Sequence, residues 1–413
     1  MKRHRGALDV ASGRGPFAIA LLVSASGACA QPVFMGIGRL AGDSFSLAHA
    51  ISGDGTTVVG ESGVPGATSA IRWVFLAGPQ SLGSLPGASV SAAYGVSRDG
   101  SAIVGVSGGR AFRWTGPTGV VAVPMPAGVA SSIAYGVSAD GNTVVGSMVT
   151  STGLRGYRWN AATGTQDLGL LNGGTFSIAR AASANGTVVA GFSDASTTGP
   201  QAFRWTGPMV SIGNLPGGTI SQAYAIAGGG GTIVGDASGP GGPRAFRWTA
   251  AGGMQSLGVL PLTDSSAARA VSGNGQAVAG YCGGFVGLRA WVWTTTAGLS
   301  DLESVVVAQG GDITDWTLQT AAGMSNDGLV IVGTGSGPSG QEGWVARLRV
   351  LPCWANCDDS TTQPVLSVSD FQCFAARAAT QDTRANCDGS TTPPIINIYD
   401  YLCFMTRFSQ GCQ

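Results

Sequence analysis

A short apolar segment that ends in glycine recurs seven times along this chain. The closing glycines are Gly60, Gly105, Gly146, Gly191, Gly235, Gly280 and Gly333. They lie about 45 residues apart, which is the length of a four-stranded propeller blade. The sequence therefore predicts an all-β fold, a seven-bladed β-propeller over residues 31–350.

Each repeat offers four candidate strands. In the third repeat they read SIAYGVS, TVVGSMV, RGYRWN and TQDLGLL, and ADGN (139–142) separates the first two. Asp-Gly tolerates the positive φ angles of a tight hairpin. The same position holds Asp54-Gly55, Asp99-Gly100, Asn185-Gly186, Asn274-Gly275 and Asp327-Gly328, and it reads GGGG at 228–231. We interpret these pairs as hairpin turns; the alternative is that their carboxylates bind calcium.

The two ends of the repeat region complement each other. The seventh repeat ends with GWVARL (343–348) and lacks the LGxLPGG segment that closes the others, whereas MGIGRLAG (35–42) precedes the first repeat. An N-terminal strand that completes the last blade would close the ring and remove an unpaired strand edge. We therefore predict such a closure.

The recurrent AFRW segment alternates between two faces of a strand. Phe203 and Trp205 share one face and Arg204 takes the other. We expect the aromatic side chains to fill space between blades, with an aromatic sugar-binding surface as the alternative. The arginines at this position should pair with a neighbouring blade, or else form an anion-binding ring; they are Arg72, Arg113, Arg158, Arg204 and Arg247.

Few side chains outside the repeat pattern suggest catalysis. His49 is the only histidine after residue 30, which argues against a histidine-rich metal site and against a Ser-His-Asp triad. Cys282 is interpreted as a buried small side chain. The one local enrichment of acidic residues that departs from the repeat comprises Asp264, Asp301, Glu303, Asp312 and Asp315.

The N-terminus has the features of an export signal over residues 1–30. MKRHR is basic, PFAIALLV (16–23) is apolar but too short to span a bilayer, and ACA (28–30) is a small-x-small cleavage site. We expect a secreted, extracellular or cell-surface protein without a membrane span. Its formal charge of +0 gives no electrostatic reason to expect a nucleic-acid partner.

The repeat resembles the HAF family of extracellular repeat proteins. AFRW, VVGxS and LGxLPGG carry the resemblance, which covers about three quarters of the chain. It implies a secreted repeat protein and does not specify an activity.

The last segment, residues 351–413, contains two similar stretches, ANCDDSTTQPVLSVSDFQCF (355–374) and ANCDGSTTPPIINIYDYLCF (385–404). Oxygen-bearing side chains alternate in each, and alternate residues of a tight loop can converge on a calcium ion. The candidate Ca2+ ligands are Asn356, Asp358, Ser360, Ser367 and Asp370 in the first copy, and Asn386, Asp388, Ser390, Asn397 and Asp400 in the second.

This segment resembles the cysteine-bearing form of the dockerin domain, a small helical domain with two EF-hand-like calcium loops. The resemblance covers about residues 353–412 and implies calcium-dependent folding and docking to a cohesin-like or cell-surface partner. The loops depart from the usual pattern, because each begins with Asn and carries a Thr-Thr-x-Pro insertion.

Six cysteines lie in the same segment. Repeat symmetry suggests that Cys357 pairs with Cys373, Cys387 with Cys403, and Cys353 with Cys412. Six cysteines allow 15 connectivities, so other pairings stay open. A disulfide-stapled domain without calcium is the alternative.

Together these patterns predict a non-catalytic binding or scaffold propeller, attached through a dockerin-like module, with a glycan as a possible ligand. Catalytic residues are not assigned. The alternative is a dockerin-borne enzyme, a glycoside hydrolase or lyase acting on polysaccharide, which would place acidic residues together on one face of the propeller.

Overall fold

The computed structural model describes residues 33–195, 199–285 and 287–349. They form seven four-stranded antiparallel sheets, each built from consecutive strands except the last. The fold is a seven-bladed β-propeller, as the repeat period predicts. The predicted export signal, the candidate calcium ligands, the six cysteines with their predicted pairings and the segment that resembles a dockerin all lie outside the described residues.

The strands follow in chain order. Blade 1 is β2 (Phe45–Ile51), β3 (Thr57–Val64), β4 (Ala67–Val74) and β5 (Gly78–Ser81). Blade 2 is β6 (Ser91–Val96), β7 (Ala102–Ser107), β8 (Arg110–Thr115) and β9 (Gly119–Ala122). Blade 3 is β10 (Ser131–Val137), β11 (Val144–Thr150), β12 (Gly153–Asn160) and β13 (Gly164–Asp167). Blade 4 is β14 (Ser177–Ala182), β15 (Val189–Ala195), β16 (Gly199–Trp205) and β17 (Met209–Ser211).

Blade 5 is β18 (Ser221–Ile226), β19 (Thr232–Ala237), β20 (Arg244–Thr249) and β21 (Gly253–Gly258). Blade 6 is β22 (Ser265–Val271), β23 (Ala277–Gly283), β24 (Arg289–Thr294) and β25 (Gly298–Asp301). Blade 7 is β26 (Thr317–Met324), β27 (Val330–Gly337) and β28 (Gly340–Arg347), joined by β1 (Phe34–Gly36). One helix, α1 (Leu302–Ala308), precedes blade 7.

The Asp-Gly and Asn-Gly pairs form the predicted hairpin turns. In blade 2, Ser97 Oγ donates to Asp99 Oδ1 at 2.8 Å and accepts from the Ala102 N–H at 2.9 Å. Gly100 has a φ of 73°, which explains why glycine follows the acidic residue. Blades 1, 3, 4, 6 and 7 repeat the serine-to-acid or serine-to-amide bond.

A β-bulge in the first strand of every blade explains the repeated glycine. In blade 1 the register shifts between Ala48 and Ala50, so His49 is the extra residue, and Ala48 pairs with Gly60. A β-carbon at Gly60 would collide with the carbonyl of Leu47. The equivalent glycine of each other blade would meet the corresponding carbonyl, so only glycine fits opposite the bulge.

The aromatic residues of the AFRW segments lie between blades, as predicted. Phe112 is fully buried in a cluster with Val59 and Ala70 of the preceding blade. The arginines also contact the next blade. Arg113, Arg158, Arg204 and Arg247 donate to the carbonyls of the turn glycines Gly141, Gly186, Gly230 and Gly275, and Arg72 stacks on Trp114 at 5.0 Å. These contacts support blade pairing rather than a free anion-binding ring.

The predicted closure of the ring is confirmed. Strand β1 pairs antiparallel with β28, with Phe34 opposite Ala346. A second closure runs through the turns that follow the first strands, where backbone N–H groups donate to carbonyls of the neighbouring blade. These bonds run Asn326 to Gly53, Gly273 to Asn326, Gly228 to Gly273, Ala184 to Gly228, Asp140 to Ala184, Arg98 to Ala139 and Asp54 to Arg98. All seven blades are thus linked in a circle.

The acidic residues near α1 serve the local structure. Asp301 caps the helix through the Ser304 N–H and pairs with Arg289 at 2.9 Å. Glu303 Oε1 accepts from the Leu318 N–H at 2.7 Å, and Asp312 accepts from the Thr314 N–H at 2.9 Å. Within the described part of the chain, no helix has the length and apolar character needed to cross a membrane.

Candidate functional site: the central cavity

The bulge of each first strand directs one residue to the same cavity. In blade order these residues are His49, Tyr94, Tyr135, Arg180, Tyr224, Arg269 and Ala322. We call this set the bulge ring. All seven line a cavity of about 500 Å³, together with the residues that follow them on the first strands and with Tyr281. The first strands are therefore the innermost, and the cavity lies at the centre of the propeller.

Small neighbours make the bulge ring possible. Each of its members is preceded by Ala and followed by Ala or Gly, for example Ala93 and Gly95 around Tyr94. Gly95 and Gly136 approach the backbone of the next blade so closely that a larger residue would displace it. The flanking positions pack the blades against each other, whereas the bulge residue lines the cavity and differs from blade to blade.

Arg180 occupies an aromatic environment without a carboxylate. Its guanidinium carbon lies 4.1 Å from the centre of the Tyr135 ring, 5.6 Å from Phe192 and 5.7 Å from Tyr224. Its Nε is buried and has no hydrogen-bond partner among the described residues. Burial lowers the pKa of Arg180, and guanidinium groups in proteins stay charged.

Arg269 stacks on the same tyrosine. Its guanidinium carbon lies 3.8 Å from the Tyr224 ring, and its Nη2 donates to the Tyr281 hydroxyl at 3.0 Å. Burial opposes the charged form, but Tyr224, Tyr281 and Asp236 together raise the pKa of Arg269. Two guanidinium groups therefore contact one tyrosine ring.

Two carboxylates, Glu61 and Asp236, follow the repeated glycines Gly60 and Gly235 and contact members of the bulge ring. Asp236 lies behind Tyr224, and burial raises the pKa of its carboxyl group although Arg269 and Tyr224 lower it. Burial and then Asp236 raise the pKa of Tyr224 to about 12, so its hydroxyl stays protonated. That hydroxyl also lies 2.6 Å from Gln222 Oε1.

In blade 1, the bulge-ring residue His49 has a carboxylate partner, Glu61. Its Nε2 lies 3.4 Å from Glu61 Oε1, with the two side chains 25% and 17% exposed. The imidazole centre is 5.2 Å from the Tyr94 ring. Burial, followed by the charge of Glu61, raises the pKa of Tyr94, so its phenol is a proton donor at neutral pH.

The charge distribution favours an anion. The cavity is lined by two arginines, one histidine and four tyrosines, and by no carboxylate among the described residues. Glu61 and Asp236 stand behind His49 and Tyr224 rather than in the lining. Aromatic faces and guanidinium groups together suit a planar or cyclic ligand that carries negative charge.

The cavity was not predicted from the sequence. His49 was considered only as part of a metal site or a catalytic triad, and the arginines considered as anion ligands lie between blades. The predicted acidic group near α1 contributes no residue to the cavity lining. The missed signal was a variable residue between small ones, in the segments AHA, AYG, AYG, ARA, AYA, ARA and AAG.

Comparisons with known proteins reveal the fold but no family. No protein-family model matches the chain, and no curated protein does. An oligogalacturonate lyase from Vibrio parahaemolyticus has a TM-score of 0.53 and 11% identity, over 78% of this chain and 95% of that one. An oligogalacturonate lyase in complex with manganese has a TM-score of 0.50 and 13% identity, over 73% and 88%. A putative TolB from Agrobacterium tumefaciens is more distant, with a TM-score of 0.43 and 14% identity, over 62% and 89%.

The prediction that this protein is not an enzyme is contradicted by these structures. Two proteins that share the propeller fold are lyases, so a ring of repeats with this architecture is no argument against catalysis. The manganese belongs to that neighbour. In residues 33–195, 199–285 and 287–349 of the present chain, no group of three or more His, Cys, Asp or Glu side chains is placed to hold a metal ion.

Proposed function

We propose that the propeller binds an acidic saccharide in its central cavity. The observation that carries this proposal is Arg180, a charged group at the cavity with no carboxylate partner. Arg269 adds a second cation to the lining, and only Asp236 stands near it. A carboxylate of a ligand in the cavity would pair with the Arg180 guanidinium, which has no carboxylate partner among the described residues.

The tyrosines indicate the shape of the ligand. Four phenol rings line the cavity beside the two guanidinium groups. A sugar ring presents C–H groups that pack on aromatic faces and hydroxyls that bond to phenols. A cavity of about 500 Å³ holds a ligand of one to a few sugar rings. The shared fold of the two oligogalacturonate lyases adds to this proposal, since the substrate in their name is an acidic saccharide.

Calorimetric titration of acidic and neutral oligosaccharides tests the binding. We expect uronate oligomers to bind and their neutral counterparts to bind at least tenfold more weakly. Arg180→Met should lower the affinity for the uronate by roughly ten- to hundredfold, since hydrogen bonds to charged groups contribute about 1.5 to 3 kcal/mol.

The matched control is Arg110→Met, which removes an exposed arginine outside the cavity lining. Its affinity should equal that of the wild type. Equal binding of neutral and acidic oligomers, or an equal loss in both variants, would contradict the proposal. Inorganic phosphate competing as strongly as the uronate would indicate a general anion site.

We also propose that the chain is exported and that residues 351–413 attach it to an extracellular partner. The two acidic, cysteine-flanked stretches support this proposal, through their resemblance to dockerin loops. Each loop offers few carboxylates, so weak calcium binding suited to extracellular concentrations is expected.

Calcium titration of the oxidised full-length protein tests the attachment. We expect about two ions per chain and a gain in thermal stability. The double variant Asp388→Asn, Asp400→Asn should lose one ion, and Asp99→Asn in a propeller turn should lose none. If the double variant bound as many calcium ions per chain as the wild type, the proposed ligands would be wrong. The alternative of a disulfide-stapled domain without calcium would then be favoured.

A further inference from the structure

His49 differs from the other members of the bulge ring because it is the one imidazole among them, and its Nε2 lies 3.4 Å from the Glu61 carboxylate. With its Nε2–H donated to Glu61 Oε1, at 3.4 Å, the other nitrogen, Nδ1, carries the lone pair. The Glu61 carboxylate stabilises the imidazolium that forms when His49 takes up a proton. Such a pair is the arrangement of a general base with an orienting group.

The seventh position of the bulge ring carries only a small side chain, that of Ala322. Ala322 lies between Arg269 and His49 in blade order, and Thr320, Ala321 and Gly323 beside it also line the cavity. This sector is therefore the part of the ring left open by small residues. The Arg269 guanidinium lies at one side of the opening, and the His49 imidazole lies at the other.

From this placement we infer that the cavity catalyses β-elimination on a uronate, with His49 as the base. The inference rests on the proposed binding of an acidic saccharide. A carboxylate bound by the arginines makes the hydrogen on the adjacent ring carbon more acidic. His49 removes that proton, a carbon–carbon double bond forms, and the bond from the ring to the leaving glycosidic oxygen breaks.

The leaving oxygen requires a proton, and Tyr94 is placed to donate it. Its phenol is protonated at neutral pH and stands 5.2 Å from the imidazole, measured between ring centres. The protonated His49 then returns a proton to Tyr94. The net change moves one proton from carbon to oxygen, and it consumes no water, oxidant or reductant.

Hydrolysis fits the cavity less well. Glycoside hydrolysis ordinarily uses two carboxyl groups that flank the scissile bond. Glu61 is bonded to His49 and Asp236 lies beside Tyr224, and neither is among the residues that line the cavity. A base, a phenol and an anion-binding group correspond instead to elimination.

The test measures ultraviolet absorbance of unsaturated product and product mass, using oligomers of galacturonate, glucuronate and mannuronate. We expect one class to be cleaved, with a product one water lighter than the hydrolytic product. His49→Ala should lower kcat by roughly 10²- to 10⁴-fold, with calorimetric affinity within about threefold of wild type. This variant should fold, because blade 7 carries alanine at the equivalent position.

Glu61→Gln tests a positioning role, since it should lower kcat and leave KM unchanged, and Tyr94→Phe should lower kcat without loss of affinity. Arg110→Met is the control and should retain full turnover. Binding of a uronate without any unsaturated product, or turnover unchanged in His49→Ala, would overturn the inference and leave the binding function intact. Absence of binding would remove both.

Discussion

At the scale of single residues, the bulge ring separates positions fixed by packing from positions that line the cavity. Its neighbours are confined to Ala and Gly by close packing, whereas the extra residue of each bulge varies from Ala322 to Arg180 and Arg269. A substitution in the ring therefore alters the cavity without altering the backbone packing of the flanking Ala and Gly residues. Neighbouring members of the ring also contact each other, as Arg180 contacts Tyr135 and Tyr224, so their identities are coupled.

The turn residues, in contrast, vary little between blades. Their side chains recur because each turn has the same backbone N–H groups to bond, such as those of Ser101 and Ala102 in blade 2. The Ser101 N–H and the Ser97 and Ser101 hydroxyls lower the pKa of Asp99 from 3.8 to about 2. Hydrogen bonds also lower the pKa of Asp54 and Asp140, against the opposing effect of burial. The folded protein thus holds these carboxylates ionised more strongly than the unfolded chain does.

This difference predicts an acid-dependent loss of stability. Since the folded pKa of Asp99 lies below the unfolded value, its contribution is complete above pH 3.8 and declines as the pH falls towards about 2. Replacing Asp54, Asp99 and Asp140 by Asn should reduce the urea midpoint well above pH 3.8 and leave it nearly unchanged near pH 2.

The natural amide turns provide the control. Asn185 Oδ1 accepts from the Thr187 N–H at 3.1 Å, as Asp99 does from the Ser101 N–H at 3.0 Å, so the triple variant retains the turn geometry. A constant difference between variant and wild type across this pH range would contradict the electrostatic explanation.

At the scale of elements, the sequence predicted what every blade shares. Gly60 and its six equivalents marked the second strands, Asp99-Gly100 marked the hairpins, and MGIGRLAG marked the closing strand. The first two follow from local backbone chemistry, so they can be read from one repeat, and the closing strand follows from comparing the two ends of the repeat region. The residues of the central cavity cannot be read in this way, because they are brought together only when seven first strands converge.

The shift of the first strands was also beyond the sequence pattern. Strict alternation would place Tyr94 and Tyr135 on one face of an ordinary strand. The bulge makes each of them an extra, unpaired residue whose side chain lines the central cavity. Helix α1 was not predicted either, because it lies outside the repeat pattern. It occupies an insertion before blade 7, and its Asp301 cap was interpreted as a candidate acidic site.

The closing strand β1 supplies an element-scale prediction. Phe34 is 7% exposed and packs on Trp316 at 5.2 Å and on Trp344 at 6.2 Å between ring centres. Phe34→Ala should lower the free energy of unfolding by about 3 to 5 kcal/mol, which is the range for truncating a buried phenylalanine.

Phe285→Ala is the matched substitution on an exposed loop, where the side chain is 107% exposed. It should change stability by less than about 0.5 kcal/mol. Equal effects of the two substitutions in urea unfolding would show that β1 does not hold the last blade.

At the scale of the whole molecule, stability and function depend on the same closed circle. The seven backbone bonds between neighbouring turns and the pairing of β1 with β28 fix how far apart the first strands stand. Those distances set the width of the cavity and the approach of Arg180 and Arg269 to Tyr224. Loosening any one blade therefore changes the site as a whole, because no blade contains the site alone.

The pairing of β1 with β28 also sets an order in time. The Gly38 N–H donates to Glu342 across 304 residues, so the first strand to be synthesised has no partner until nearly the entire propeller has followed it. Blades 1 to 6 can form hairpins as they are synthesised, whereas β1 stays unpaired until β28 has been made. The closing step is thus a long-range search with a large loop-closure entropy, so closure of the ring is a single late event that follows the formation of the hairpins.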